Sequence, residues 1–352
     1  MHPYKSFPAQ QFWSHAVSRN FDAKELANVP VPLIKKSDRI VSAGSCFAAN
    51  LIPYLENYGF TYLRTEYTSP VYTAVPAENM SYGKFSAGYG NIYTARQMLQ
   101  LLRRCLGYFS PQEDRWVYHD RIIDPFRPGL RYYALSEKEF DLLTSAHLAA
   151  TAKAFSMADV FIFTLGLTEA WISTLDGAVF PACPGTVAGS YDASRHAFIN
   201  FSVDDIISDL EQVMALLREW NPSTRVILTV SPVPLVATAE QKHVLTATVF
   251  SKSVLRVAAE YVCQKQENMF YFPAYEIITG PQAPHDFFEQ DRRTVSPKAV
   301  DTVMEAFLSL CEAGSTVSNQ KIHQQINIAQ KLSQTLTDIE CEEAAQNRII
   351  PD

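Results

Sequence analysis

The chain has 352 residues, 47% hydrophobic and 12% aromatic, enough apolar material for one large core or two small ones. Its formal charge is −7 with both signs mixed along the chain, so no basic field exists to attract nucleic acid or an anionic membrane. The six cysteines, Cys46, Cys105, Cys183, Cys263, Cys311 and Cys341, include no close pair, which predicts reduced thiols and neither a disulfide frame nor a metal site.

The opening MHPYKSFPAQQFWSH lacks a positive segment followed by an apolar one, and no run of roughly eighteen apolar residues occurs. These features predict a cytoplasmic protein without a transmembrane segment. Residues 1–37, rich in proline and aromatics and ending in Pro30-Val31-Pro32, read as an extended N-terminal arm over the domain, one that could frame a substrate entrance. Arg39 to Ala43 has the β-branched composition of a buried strand. Gly44-Ser45 breaks it, and Ala48 to Gly59 repeats apolar residues at helical spacing.

A hydroxyl at such a strand-turn-helix junction lies at the carboxyl end of a sheet strand, where open α/β folds place ligands, and beside helix N-terminal amides that can stabilise an oxyanion. Ser45 is therefore a candidate nucleophile. The competing readings are a helix cap for Ser45 and a lowered-pKa thiol at Cys46.

Phe60 to Arg64 reads as a second strand and Tyr93 to Leu106 as an amphipathic helix, joined by a long loop carrying Tyr67, Tyr72, Tyr82 and Tyr89 with Gly83, Gly88 and Gly90. A helix over 137–155 leads into the apolar strand Ala158 to Leu165, which ends at Gly166-Leu167-Thr168-Glu169. Residues 172–201 read as another long loop, with Cys183-Pro184-Gly185 and His196. A helix over 202–220 opens on Ser202 and Asp205 at capping-box spacing. Then follow a strand at 225–230 cut off by Ser231-Pro232, a helix over 240–265, a strand at 269–272 and a closing helix at 301–311. Beyond it, Ile322, Ile326, Ile328, Leu332 and Leu336 keep helical spacing in a polar context. This predicts a C-terminal helical appendage, 313–352, packing on the domain or on a second copy in a homo-oligomer. The βα rhythm of 38–312 predicts a three-layer α/β/α domain with a flavodoxin-like parallel sheet of about five strands and long loop insertions.

Gly44-Ser45-Cys46-Phe47-Ala48 spells the signature of the GSCFA domain family, which is related to the SGNH (GDSL-like) hydrolases. Gly90-Asn91-Ile92-Tyr93, Asp124-Pro125-Phe126-Arg127-Pro128, Thr164-Leu165-Gly166-Leu167-Thr168-Glu169, Thr229-Val230-Ser231-Pro232 and Tyr271-Phe272-Pro273-Ala274-Tyr275-Glu276 also resemble that family's blocks, over roughly residues 30–310. The resemblance implies an SGNH-like fold and an esterase or O-acyltransferase acting on an acylated carbohydrate or another small acyl substrate. It implies no cofactor, other than an acyl-coenzyme A donor if the reaction is transfer.

By the same resemblance Ser45 is the nucleophile, Gly90 and Asn91 form the second block, and Gly166 to Glu169 the third. SGNH proteins carry an asparagine donor where Thr168 stands, so Thr168 could donate through its hydroxyl and Glu169 could orient a base. On the residues alone, Gly90 is equally a turn glycine and Glu169 a helix-start acid. The fifth SGNH block is Asp-x-x-His; here it reads Asp291-Arg292-Arg293-Thr294, with threonine where the general base belongs. His243 and His285 are the candidates to replace it, or else surface histidines. Lys252 or Arg256 could bind an anionic group. Transfer from a thioester, whose leaving group asks less of acid catalysis, and loss of catalysis in favour of a glycan- or protein-binding module are the other two readings.

Overall fold

The computed structural model describes residues 2–67, 82–118, 120–130 and 133–313, the side chains of Cys46 and Tyr118 excepted. In chain order come α1 (Trp13–Ala16), β1 (Arg39–Ala43), α2 (Cys46–Ala49), α3 (Leu51–Asn57), β2 (Thr61–Tyr62), α4 (Ala95–Cys105), β3 (Trp116–Tyr118), β4 (Arg121–Ile123) and α5 (Glu137–Met157). They are followed by β5 (Val160–Leu165), β6 (Glu169–Ser173), β7 (Val179–Phe180), β8 (His196–Asn200), α6 (Val203–Trp220), β9 (Arg225–Val230), α7 (Val244–Lys265), β10 (Met269–Tyr271), α8 (Ala274–Thr279) and α9 (Pro297–Ser309).

The organising element is a five-stranded parallel sheet in the order β10-β9-β5-β1-β2. Every residue of β5 is buried, and β1 is buried from Ile40 on, as expected for strands covered on both faces. The step from β1 to β2 runs one way across the sheet, and the steps through β5, β9 and β10 run the other way. Right-handed crossovers then put α3, α8 and α9 on one face and α4 to α7 on the other, which matches the packing of α3 on α9 and of α4, α6 and α7 in series. The direction reverses between β1 and β5, so a crevice opens beyond their carboxyl ends, the position where sheets of this order bind ligands.

The observed elements depart from the sequence reading in four places. The helix expected over 48–59 is split in two at Asn50, because Pro53 has no N–H for the carbonyl of Ala49 and its ring crowds that carbonyl. The segment 172–201, read as loop, carries β7 and β8, which pair antiparallel with β6 in a three-stranded sheet of order β7-β6-β8. Glu169 therefore starts a strand rather than a helix. The closing helix begins at Pro297, four residues before Asp301, with Ser296 accepting from the Ala299 N–H and proline at the first turn, where its missing N–H costs nothing. The N-terminal arm is a series of short 3-10 turns and the single turn of α1 rather than an extended strand. It becomes buried only at Leu33 and Ile34, which bond to Leu310 and Glu312 beyond α9. The capping box at Ser202 and Asp205 is present as read. Tyr72 and the expected helix beyond Gly314 lie outside the described residues.

Candidate functional site

Ser45 follows β1 directly and occupies the N-cap position of α2, yet its side chain makes no capping hydrogen bond. Its hydroxyl bonds to none of the described residues, although the residue is only 8% exposed. Gly44 makes the turn possible. It has φ +150°, and a Cβ there would meet Ala48 Cβ at 2.7 Å, Thr164 Cβ at 2.8 Å and the Thr164 carbonyl at 2.9 Å. The serine is thus pressed against the end of β5 by a backbone approach that only glycine permits.

The loop carrying Gly90 and Asn91 is fastened to the same strand end. Ile92 N–H donates to the Gly44 carbonyl at 2.9 Å, and the Tyr89 hydroxyl donates to the Ser42 carbonyl. The Gln97 side chain closes the loop, accepting from the Tyr93 N–H and donating to the Asn91 carbonyl. Gly90 has φ +65° with open space around its Cβ position. Asn91 is buried; its amide donates to the Tyr93 hydroxyl and accepts from Lys84.

Behind the loop lies a buried charge network. Glu66 accepts from Gly88 N–H and His147 Nδ1, both at 2.7 Å, and Arg127 sits 3.6 Å from it while donating to Asp124 at 2.8 Å. Burial pushes the Glu66 carboxyl up, but His147, Arg127 and the Gly88 amide outweigh it and hold it down at about 2. Burial and the Arg127 charge push His147 below its ordinary value, against the opposing pull of Glu66.

Beyond β5, the Gly166 and Leu167 amides both donate to the Tyr93 carbonyl at 3.1 Å, tying the third block to the second. Thr168 is fully buried, its hydroxyl donating to Asn200 at 2.6 Å and lying 3.1 Å from Ser251. That hydroxyl is committed to the interior and is not turned to a ligand. Glu169 accepts from the Thr238 hydroxyl at 2.7 Å, and burial raises its pKa above the ordinary carboxylate value. Lys252, on α7 and 2% exposed, donates to the Gly166 carbonyl at 2.5 Å. Burial first and the Arg293 charge second lower its pKa to about 7.

The expected acid and bases are placed elsewhere. Asp291 spends its carboxylate on its own turn, accepting from the Arg293 and Thr294 amides at 2.9 Å and from the Thr294 hydroxyl at 2.5 Å. It holds no imidazole among the described residues. His243 is exposed and caps α7, its Nδ1 accepting from the Leu245 N–H at 3.2 Å. His285 is exposed on a 3-10 turn. No imidazole lies within hydrogen-bond reach of Ser45 among the described residues. Arg256 is paired with Glu260 and Glu276.

Sequence reasoning missed the cavity beside this turn, about 360 Å³, walled by Tyr93, Leu167, Trp171, Phe180, Phe198 and Leu235 and reached by Arg293. The signal was present in the aromatic alternation of Ala170-Trp171-Ile172 and Ala197-Phe198-Ile199, which places one face of each strand on an apolar space. Among the described residues no group of three His, Cys, Asp or Glu could hold a metal, and no helix is long and apolar enough to cross a membrane.

A doubly wound parallel sheet flanked by helices, with Ser45 at the point where the strand order reverses, defines the class: an open-sheet α/β protein. The chain belongs to the GSCFA family, whose model matches residues 39–307. No curated protein matches its sequence. Among solved structures, the chain is similar to a carbohydrate esterase of family 3 from Talaromyces cellulolyticus, at 10% identity and a TM-score of 0.37, with 83% of this chain and 99% of that one covered. It is also similar to an acetyl esterase variant crystallised with acetate ion, at 9% identity and a TM-score of 0.34, with the same coverage.

Proposed function

We propose that the protein is a serine-dependent acyl-ester enzyme, an esterase or an O-acyltransferase, with Ser45 as nucleophile and an acylated carbohydrate as substrate. The carrying observation is that the Ser45 hydroxyl sits at the sheet's reversal point and leaves the helix amides uncapped. In this reading the Ser45 oxygen attacks the acyl carbonyl, the ester C–O bond breaks, and the sugar alcohol leaves with a proton. Water then returns the serine as hydrolysis; in the transfer case with an acyl-coenzyme A donor the thioester C–S bond breaks instead, the thiol leaves with the proton, and a sugar hydroxyl takes the acyl group from the serine. Gly90 and Asn91 flank the turn from the loop bonded to Gly44 and are the candidates to face the developing oxyanion. The carbohydrate half of the substrate follows from the SGNH resemblance.

The proton acceptor supported best is Lys252. A buried amine with a pKa of about 7 is partly neutral at neutral pH, and its anchor, Gly166, lies just past the end of the strand that Gly44 touches. A labelling experiment tests the reading: a fluorophosphonate probe should mark the wild-type chain and not Ser45→Ala, and Ser45→Ala should lose turnover of p-nitrophenyl acetate and acetylated xylan. An unlabelled, inert wild type would favour the second reading, a glycan- or protein-binding module, which draws its support from there being no imidazole beside Ser45 among the described residues.

A further inference from the structure

The cavity beside the Ser45 turn has polar side chains in its wall, but their hydrogen bonds point into the protein. Thr94 accepts from the Gln97 N–H, and Gln97 itself is spent on Tyr93 and Asn91. Thr186 donates to the Cys183 carbonyl at 2.7 Å, and Thr238 donates to Glu169. A sugar ring buried there would leave several hydroxyls without partners, at a cost of about 1–3 kcal/mol each. Apart from Arg293 at its edge and Glu169, the described wall is mostly aromatic and aliphatic, and burial disfavours the ionised form of Glu169.

The near wall, Tyr93 and Leu167, is also the pair that meets at the Tyr93 carbonyl, one residue from Ile92, which is bonded to Gly44. This hydrogen-bonded connection joins the cavity wall to the Ser45 turn, and the acyl side of an ester at Ser45 is the part proposed to enter it. At roughly 30 Å³ for each water-sized group, a volume of about 360 Å³ sets an upper bound of about twelve carbons, enough for a chain of about ten.

We propose that this cavity is the acyl subsite and that it takes a medium-length apolar acyl chain rather than acetate, leaving the alcohol part of the ester outside. The inference rests on the serine-esterase reading, and its test separates the two. With the full chain and p-nitrophenyl esters from acetate to dodecanoate, kcat/KM should rise with chain length to a maximum near decanoate. Filling the cavity by Ala182→Trp or, from another wall, Ala170→Phe should lower the decanoate-to-acetate ratio by about tenfold or more. A wild type that prefers acetate, or variants with an unchanged ratio, would overturn the subsite while leaving the esterase reading standing.

If no ester turns over, binding decides the matter independently. Decanoic acid should displace 1-anilinonaphthalene-8-sulfonate from wild type and from Ser45→Ala, and should do so less well from both cavity variants, with far-UV circular dichroism showing each variant folded. Absence of decanoate binding by the folded wild type, or equal binding by the folded variants, would sink the proposal.

Discussion

Gly44 and Ser45 divide the work at the turn: one permits the close approach to β5, the other supplies the hydroxyl. Gly44→Ala combines a strained φ with overlap against the Thr164 backbone and should destabilise the protein by at least about 2 kcal/mol, read by urea denaturation. Ser45→Ala removes a hydroxyl that bonds to none of the described residues and should leave the midpoint within about 0.5 kcal/mol of wild type.

Lys252 yields a prediction with a definite sign. Its folded pKa, about 7, lies below the ordinary lysine value of 10.5, so between these the unfolded chain holds a proton that the folded one has lost. Stability should climb with pH across that window by up to about 1.4 kcal/mol per unit, and the climb should vanish in Lys252→Met. Of these residues, Ser45 was legible because the change from strand to helix period isolates it. Lys252 was legible only as a cation on a helix, since burial depends on what packs over it. The imidazole sought at His243 could not be placed by spacing, because a histidine before a helix serves equally as its cap.

Helix ends and strand ends explain most of what the elements do. Ser202 caps α6 reciprocally with Asp205, so Ser202→Ala should cost about 1 kcal/mol in thermal or urea unfolding. Between α4 and α6, Arg96 donates to Asp209 at 2.5 Å. Asp209 is fully buried, and burial raises its carboxyl to about 6 despite that partner. Arg96→Ala would strand the carboxylate and should destabilise by about 3 kcal/mol at neutral pH. The loss should shrink as pH falls toward 6, because without Arg96 the buried Asp209 takes a proton at a higher pH than it does in the wild type.

The parallel strands and long helices were readable because each carries one unbroken period. Strands β6 to β8 were hidden because their pairing spans a long connection: Glu169 faces Asn200 across the sheet, and nothing local to either residue announces the other. The split between α2 and α3 turns on Pro53 alone.

At the scale of the whole molecule, the composition and the βα alternation pointed to one parallel sheet, and the order β10-β9-β5-β1-β2 places the reversal beside Ser45. The order could not be read from the chain, since strand adjacency is set by packing between distant segments such as Arg39 and Asp159, which pair at 2.9 Å. Acid should unfold the protein through the charge network under the Gly90 loop. Glu66 has a folded pKa near 2 against an ordinary 4.5, so its contribution is complete above 4.5 and lost as pH falls toward 2. His147, held neutral below its ordinary 6.5, adds a loss that begins as pH drops through that value. Glu66→Gln should flatten the midpoint-against-pH curve below pH 5, measured by thermal unfolding from pH 7 to 3.

The two outermost strands of the central sheet are also its shortest, β2 with 2 residues and β10 with 3. Little unpaired main chain is therefore offered for another chain to extend the sheet, which guards the native state against cross-β aggregation. Whatever docks at these two edges of the central sheet, a second copy included, must hold on through side chains rather than by strand augmentation.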